Sequence, residues 1–160
     1  MKRLLLSAAM VACAMLGTMR QASAHCEVPC GIYADELRFQ QMLEDCQTIE
    51  KAMGQIAALA AEVRDQHDPL AVNQVARWVA TKESHATNTQ HIIAQYFMTQ
   101  RIKADADDYV KKLTAAHAVM VGAMKCKQTV DTANTAALKK AILDFYRAYE
   151  GKEPVFHDHN

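Results

Sequence analysis

Six consecutive residues near the start of this 160-residue chain, His25-Cys26-Glu27-Val28-Pro29-Cys30, concentrate metal-binding donors. Once cleavage makes His25 the first residue, it offers a free α-amine as well as an imidazole. Cys26 adds a thiolate and a backbone nitrogen that a metal can deprotonate, and Cys30 a second thiolate. Amine, amide nitrogen and two thiolates can lie in one plane, which suits Ni(II) or Cu(II), whereas zinc favours a tetrahedron. Thiolate and anionic amide donors push electron density onto the metal and stabilise its higher oxidation state, and the imidazole can join as an axial donor. The pattern predicts a metal site that cycles by one electron.

That ligand set depends on a processing event, and the residues before it predict one. Lys2 and Arg3 form a short positive region, Leu4 to Gly17 an apolar stretch too short for a comfortable membrane span, and Ala22-Ser23-Ala24 a small-x-small cleavage site. Residues 1–24 therefore read as a signal peptide, and residues 25–160 as one exported, periplasmic domain with no membrane attachment after cleavage. The leader carries Lys2, Arg3 and Arg20 and no acid, so its removal leaves 15 basic against 18 acidic residues, a net charge of −3. Such a chain has no compositional case for binding nucleic acid.

The elements that must carry the site read as all-α. Half of the residues are apolar, with only five glycines and three prolines, too few tight-turn residues for a sandwich or barrel. Phe39, Met42, Cys46, Ile49, Met53, Ile56, Ala60 and Val63 recur at spacings of three and four, predicting one helix from about 34 to 65. Asp68-Pro69 supplies an N-cap and a first-turn proline for a second helix reaching about Arg101, with Leu70, Val75, Trp78, Val79, Ile92, Ile93 and Phe97 as its apolar positions. A third runs from Asp105 to about Lys127, with Val110, Leu113, Met120 and Met124 on one side. Asp131 caps a fourth, whose stripe is Leu138, Ile142, Phe145 and Tyr149 and which Gly151 stops. Short links between four amphipathic helices predict an antiparallel up-down-up-down four-helix bundle, with residues 154–160 as a frayed tail.

The segment His25-Cys26-Glu27-Val28-Pro29-Cys30-Gly31-Ile32-Tyr33 closely resembles the nickel hook of nickel superoxide dismutases, His-Cys-x-x-Pro-Cys-Gly-x-Tyr at the mature N-terminus, and fills all six fixed positions of that motif. The resemblance implies disproportionation of two superoxide anions, with two protons, to dioxygen and hydrogen peroxide through alternating Ni(III) and Ni(II), one nickel per chain. It implies His25, Cys26 and Cys30 as the metal ligands, with the His25 imidazole axial and a cis bond between Val28 and Pro29. It further implies that Tyr33, with Tyr96 as partner, gates anion access and positions a water or proton donor, and that the chain assembles as a homohexamer of four-helix bundles. Trp78, the Lys82-Glu83 pair and Gln95-Tyr96-Phe97 fall where the family's second helix could place them. Three features depart from the family. Glu27 stands where members often carry Asp. Gln40 or Gln41, and His85, occupy the region where a glutamate and an arginine orient the axial imidazole. An export signal stands in place of a short intracellular propeptide.

Other readings compete for the same residues. Two cysteines in an exported protein are by default a disulfide, a reading that His25, Pro29, Gly31 and Tyr33 together outweigh. A bundle that stores or delivers nickel or copper without turnover would use the same donors, and divalent copper generally outbinds nickel at nitrogen and sulfur sites. A dithiol redox module would use Cys26 and Cys30 without metal. Cys46 lies about 12 residues into the first helix and Cys126 about 22 into the third, so in a parallel pair starting level their heights differ by ~15 Å. A disulfide needs Cα atoms within about 7 Å, so Cys46 is expected as a buried thiol and Cys126 as free or paired between subunits. His85, His91 and His117 are expected as surface or hydrogen-bonded helix residues, and His67 as a loop residue. The histidines of His157-Asp158-His159 are expected in a solvated tail. Most of the methionines fall at core spacing or leave with the leader, and Lys111-Lys112 and Lys139-Lys140 read as solvated faces.

Overall fold

The computed structural model describes residues 35–156. In it α1 spans Glu36–Gln66 and α2 spans Pro69–His91; α2 runs on without a break into a π-helical segment, Ile92–Arg101. Helices α3 (Tyr109–Lys127) and α4 (Ala133–Glu150) follow, and no strand occurs among the described residues. Each helix packs against its neighbours in chain order, and α1 closes the ring against α4, which is the four-helix bundle that the periodicity predicts.

The helix ends are set by local chemistry. Asp68 accepts from the Leu70 and Ala71 backbone N–H groups with Pro69 at the first helical position, so α2 starts where the sequence places it. Asp131 Oδ1 accepts from the Ala133 N–H at 2.9 Å at the start of α4. Gly151 ends α4 at φ 70°, donating to the Arg147 carbonyl, a left-handed conformation that glycine adopts without a Cβ penalty.

At 31 residues α1 is about 46 Å long, whereas α3 and α4, at 19 and 18 residues, reach about 28 Å. The far half of the α1–α2 hairpin therefore extends past the other pair. Phe39, Met42, Cys46, Ile49 and Met53 of the predicted α1 stripe are buried, but Ile56 and Val63 are only half-buried and Ala60 is exposed. On α2, Leu70 and Val79 are likewise exposed.

The predicted inner face of α3 is corrected by the structure. Val110 is 72% exposed and Met124 is also exposed, while Ala116, Val119, Ala123 and Cys126 face the core. Small residues win because α3 lies very close to α4: a Cβ added at Gly122 would stand 3.2 Å from Leu138 Cδ1. Cys126 is fully buried within the chain, which removes pairing between subunits, and both it and Cys46 are free thiols. Burial, reinforced by the neighbouring Cys126, pushes the Cys46 thiol up to about 12.

An aromatic cluster fills one end of the bundle. The Phe39 ring lies 4.9 Å from Phe97, 5.2 Å from Phe145 and 5.0 Å from Tyr146, tilted and edge-on geometries that each add about 0.5–1.5 kcal/mol beyond area burial. Phe156, in the segment after α4, sets its ring edge-on against Tyr146 at 5.0 Å. In an α-helix, positions 92, 93, 96 and 97 would spread over about 140° of the circumference. The wider π turn gathers Ile92, Ile93, Tyr96 and Phe97 onto one face, and all four are buried.

Candidate functional site

The proposed ligands His25, Cys26 and Cys30, and Tyr33, lie outside the described residues. The described chain begins two residues after Tyr33, at Asp35, where side chains from three elements converge. Tyr96 of the π segment donates its hydroxyl to Asp35 Oδ1. Asp35 Oδ2 accepts from the Tyr149 hydroxyl of α4 at 2.6 Å, and from Arg101 at 3.0 Å (Nε) and 2.6 Å (Nη2). Asp35 precedes α1 in the N-cap position, yet neither carboxylate oxygen bonds the helix N–H groups. Both serve the other elements instead.

The charges settle accordingly. Burial alone would raise the Asp35 carboxyl, but the hydrogen bonds from Arg101, Tyr149 and Tyr96 outweigh it and hold the carboxyl below the ordinary range. Burial and donation to this anion push Tyr96 up to about 12 and Tyr149 well above its ordinary value. Both phenols are therefore fixed donors at neutral pH. Cations flank the rings: the Arg38 guanidinium lies 4.9 Å and that of Arg101 6.0 Å from the Tyr96 centroid, and Lys112 Nζ 5.1 Å from that of Tyr149.

A second polar cluster lies in the α1–α2 seam. The buried Asp45 carboxylate meets His85 Nδ1 at 2.7 Å, Asn88 Nδ2 at 2.8 Å and Thr89 Oγ1 at 3.3 Å. Gln41, one turn before Asp45, accepts from Arg38 Nη1 through Oε1 at 3.2 Å, and Gln40 is half-buried. Among the described residues no three His, Cys, Asp or Glu side chains converge where a metal ion could sit. The Cys46 and Cys126 thiols, pushed up to about 12 and about 11 mainly by burial, stay protonated and are poor ligands at neutral pH.

A family model for nickel-containing superoxide dismutases matches residues 20–153, which takes in the whole hook motif and all four helices. The chain belongs to this family. No curated protein and no solved structure matches it.

This nickel superoxide dismutase is an oxidoreductase acting on superoxide, and nickel is the family's cofactor. Of the residues its sequence singles out, the structure places Tyr96 in the Asp35 cluster, with its hydroxyl committed to that carboxylate. His85 stands in the separate Asp45 cluster. Sequence reasoning missed Asp35, Asp45, Arg101 and Tyr149. Asp35 has the form of an ordinary N-cap and Tyr149 that of a core-stripe residue, so neither carries a signal of the bond between them.

Proposed function

We propose that the His25 amine, the Cys26 amide nitrogen and the Cys26 and Cys30 thiolates of this superoxide dismutase would hold one nickel ion, with the His25 imidazole as a further donor. The observation that carries the reading is the complete His-Cys-x-x-Pro-Cys-Gly-x-Tyr segment inside a family match that runs on through the bundle. The chemistry of the donor set fits the metal, since anionic nitrogen and sulfur donors favour the planar divalent ion and ease its oxidation. When bound, nickel supplies the one-electron oxidation and reduction of superoxide by alternating between Ni(III) and Ni(II).

The protein's own residues do the rest. Tyr33 gates the approach of the anion and positions the water or proton donor that the reductive half needs, since two protons are consumed for each hydrogen peroxide formed. Tyr96, kept protonated by burial and by donation to Asp35, stays fixed beside the start of α1 rather than releasing its proton. Cleavage after Ala24 during export to the periplasm creates the terminal amine, and the chains assemble as a homohexamer.

The test is an intact mass of the secreted protein with metal retained, paired with a superoxide-decay assay. The expected result is a chain starting at His25 with one nickel and fast decay, lost in Cys26→Ser and Cys30→Ser. A mature chain starting elsewhere would overturn the reading, because an added residue turns the amine into an amide. Tight metal binding without turnover would favour a storage or delivery bundle, and activity surviving nickel removal a dithiol module.

A further inference from the structure

The proposed ligands end at Cys30, and Asp35 follows five residues later. A chain spans at most about 3.3–3.6 Å per residue, so the Cys30 and Asp35 Cα atoms stand within about 18 Å of each other by any path. Asp35 is gripped from two distant parts of the chain, by partners 61, 66 and 114 positions away. An aspartate in the N-cap position ordinarily bonds the first helix N–H groups. Here that use is given up, and the carboxylate ties the start of α1 to the end of the π segment and the end of α4. Tyr96 and Arg101 both belong to the widened π turn, a geometry that recurs at functional sites.

Resting on the reading of residues 25–30 as the nickel segment, we propose that Asp35 is a positioning residue for the nickel hook. The grip of Tyr96, Arg101 and Tyr149 on its carboxylate fixes the residue to which the hook segment is joined, and through that backbone it would help hold the donors of His25, Cys26 and Cys30 in place for the metal. Asp35 acts through the backbone that joins it to Cys30, and it touches neither substrate nor metal in this role. Arg101 serves the grip as a charged partner, and the two tyrosines as neutral donors whose protons stay in place at neutral pH.

Residues that orient metal ligands from outside the ligand set typically change metal affinity by about 10- to 100-fold when removed. The experiment uses the full processed chain loaded with nickel, in Asp35→Ala, Asp35→Asn, Tyr149→Phe and, as a destabilised control away from the clamp, Leu138→Ala. Four quantities are read: melting temperature, nickel per chain, the rate of nickel loss to a chelator, and the electron paramagnetic resonance spectrum of the oxidised metal with its axial-nitrogen splitting. The expected result is nickel loss at least about tenfold faster and an altered axial splitting in Asp35→Ala, with smaller changes of the same kind in Asp35→Asn and Tyr149→Phe. Leu138→Ala melts lower but keeps the wild-type spectrum and release rate. Wild-type spectra and release rates in the Asp35 and Tyr149 variants would overturn the proposal and leave the clamp a structural tie. If Asp35→Ala fails to fold, Tyr149→Phe, which removes one oxygen, decides alone. Failure of the underlying reading is visible separately, as a wild-type chain without nickel or a Cys26→Ser chain that retains it.

Discussion

His85 Nδ1 lies 2.7 Å from the buried Asp45 carboxylate, joining α2 to α1 across the seam of the bundle. Asn88 and Thr89 complete the shell of that carboxylate from the same helix. Removing a buried, fully bonded carboxylate leaves its donors without partners. We expect Asp45→Ala to lower the unfolding free energy by about 2–4 kcal/mol, and His85→Ala, whose ring is half exposed, by about 1 kcal/mol or less. Urea denaturation followed by circular dichroism measures both, and equal small losses would show that the seam does not depend on the carboxylate.

Lys82 is a buried cation that caps another helix. Its Nζ donates to the Cys126 carbonyl at 3.0 Å, to the Lys127 carbonyl and to Glu83 Oε1 at 3.0 Å. The ammonium thus meets the last turn of α3, where the helix dipole favours positive charge. Lys82→Met keeps the stem and removes the donors, and should cost about 2–3 kcal/mol. Hydrogen exchange should quicken first at the C-terminal turn of α3, and protection as in the wild type would count against the cap.

Asp35 makes stability depend on pH in a definite direction. Its carboxyl is held below the ordinary value of 3.8, so the folded chain gives up that proton more readily than the unfolded chain. The contribution is complete above about pH 4 and is lost as pH falls through the folded-state value. The melting-temperature gap between wild type and Arg101→Gln should therefore be widest near neutral pH and shrink as the pH is taken below the ordinary carboxylate value. A gap constant across that range would show that the ion pair adds nothing beyond packing.

Gly122 sits where α3 meets Leu138 of α4. A Cβ there would lie 3.4 Å from the Leu138 Cα, a backbone atom that cannot turn aside as the Cδ1 can. Gly122→Val should destabilise by about 1–3 kcal/mol through overpacking, against the helix propensity it gains. Thermal melting decides the sign.

The two core thiols should be inert in the folded chain. Burial pushes Cys46 up to about 12 and Cys126 up to about 11, and the thiolate is the reactive form. Iodoacetamide at about pH 8 should spare both in the native protein and modify both after unfolding, read by peptide mass. Rapid native labelling of Cys126 would mean that the end of α3 opens readily.

Much of this molecule is legible in its residues. Four apolar periods near 3.6 fix four helices, and Asp68-Pro69 and Gly151 mark two of their ends, because caps act over a few residues. The donor chemistry of His25, Cys26 and Cys30 is equally local, a matter of residue types at close spacing. Size misleads on α3. Val110 and Met124 look like core residues, yet the distance between α3 and α4 decides which face goes inside, and that distance is a property of the pair.

The sequence by itself determined the helical class and a cluster of nitrogen and sulfur donor residue types in the segment before α1, since periodicity and donor type are written in short stretches of chain. Only the tertiary structure decided what Asp35 does. Its partners come from positions 96, 101 and 149, and a carboxylate chooses among cap, solvent and distant donors according to what folding brings within about 3 Å.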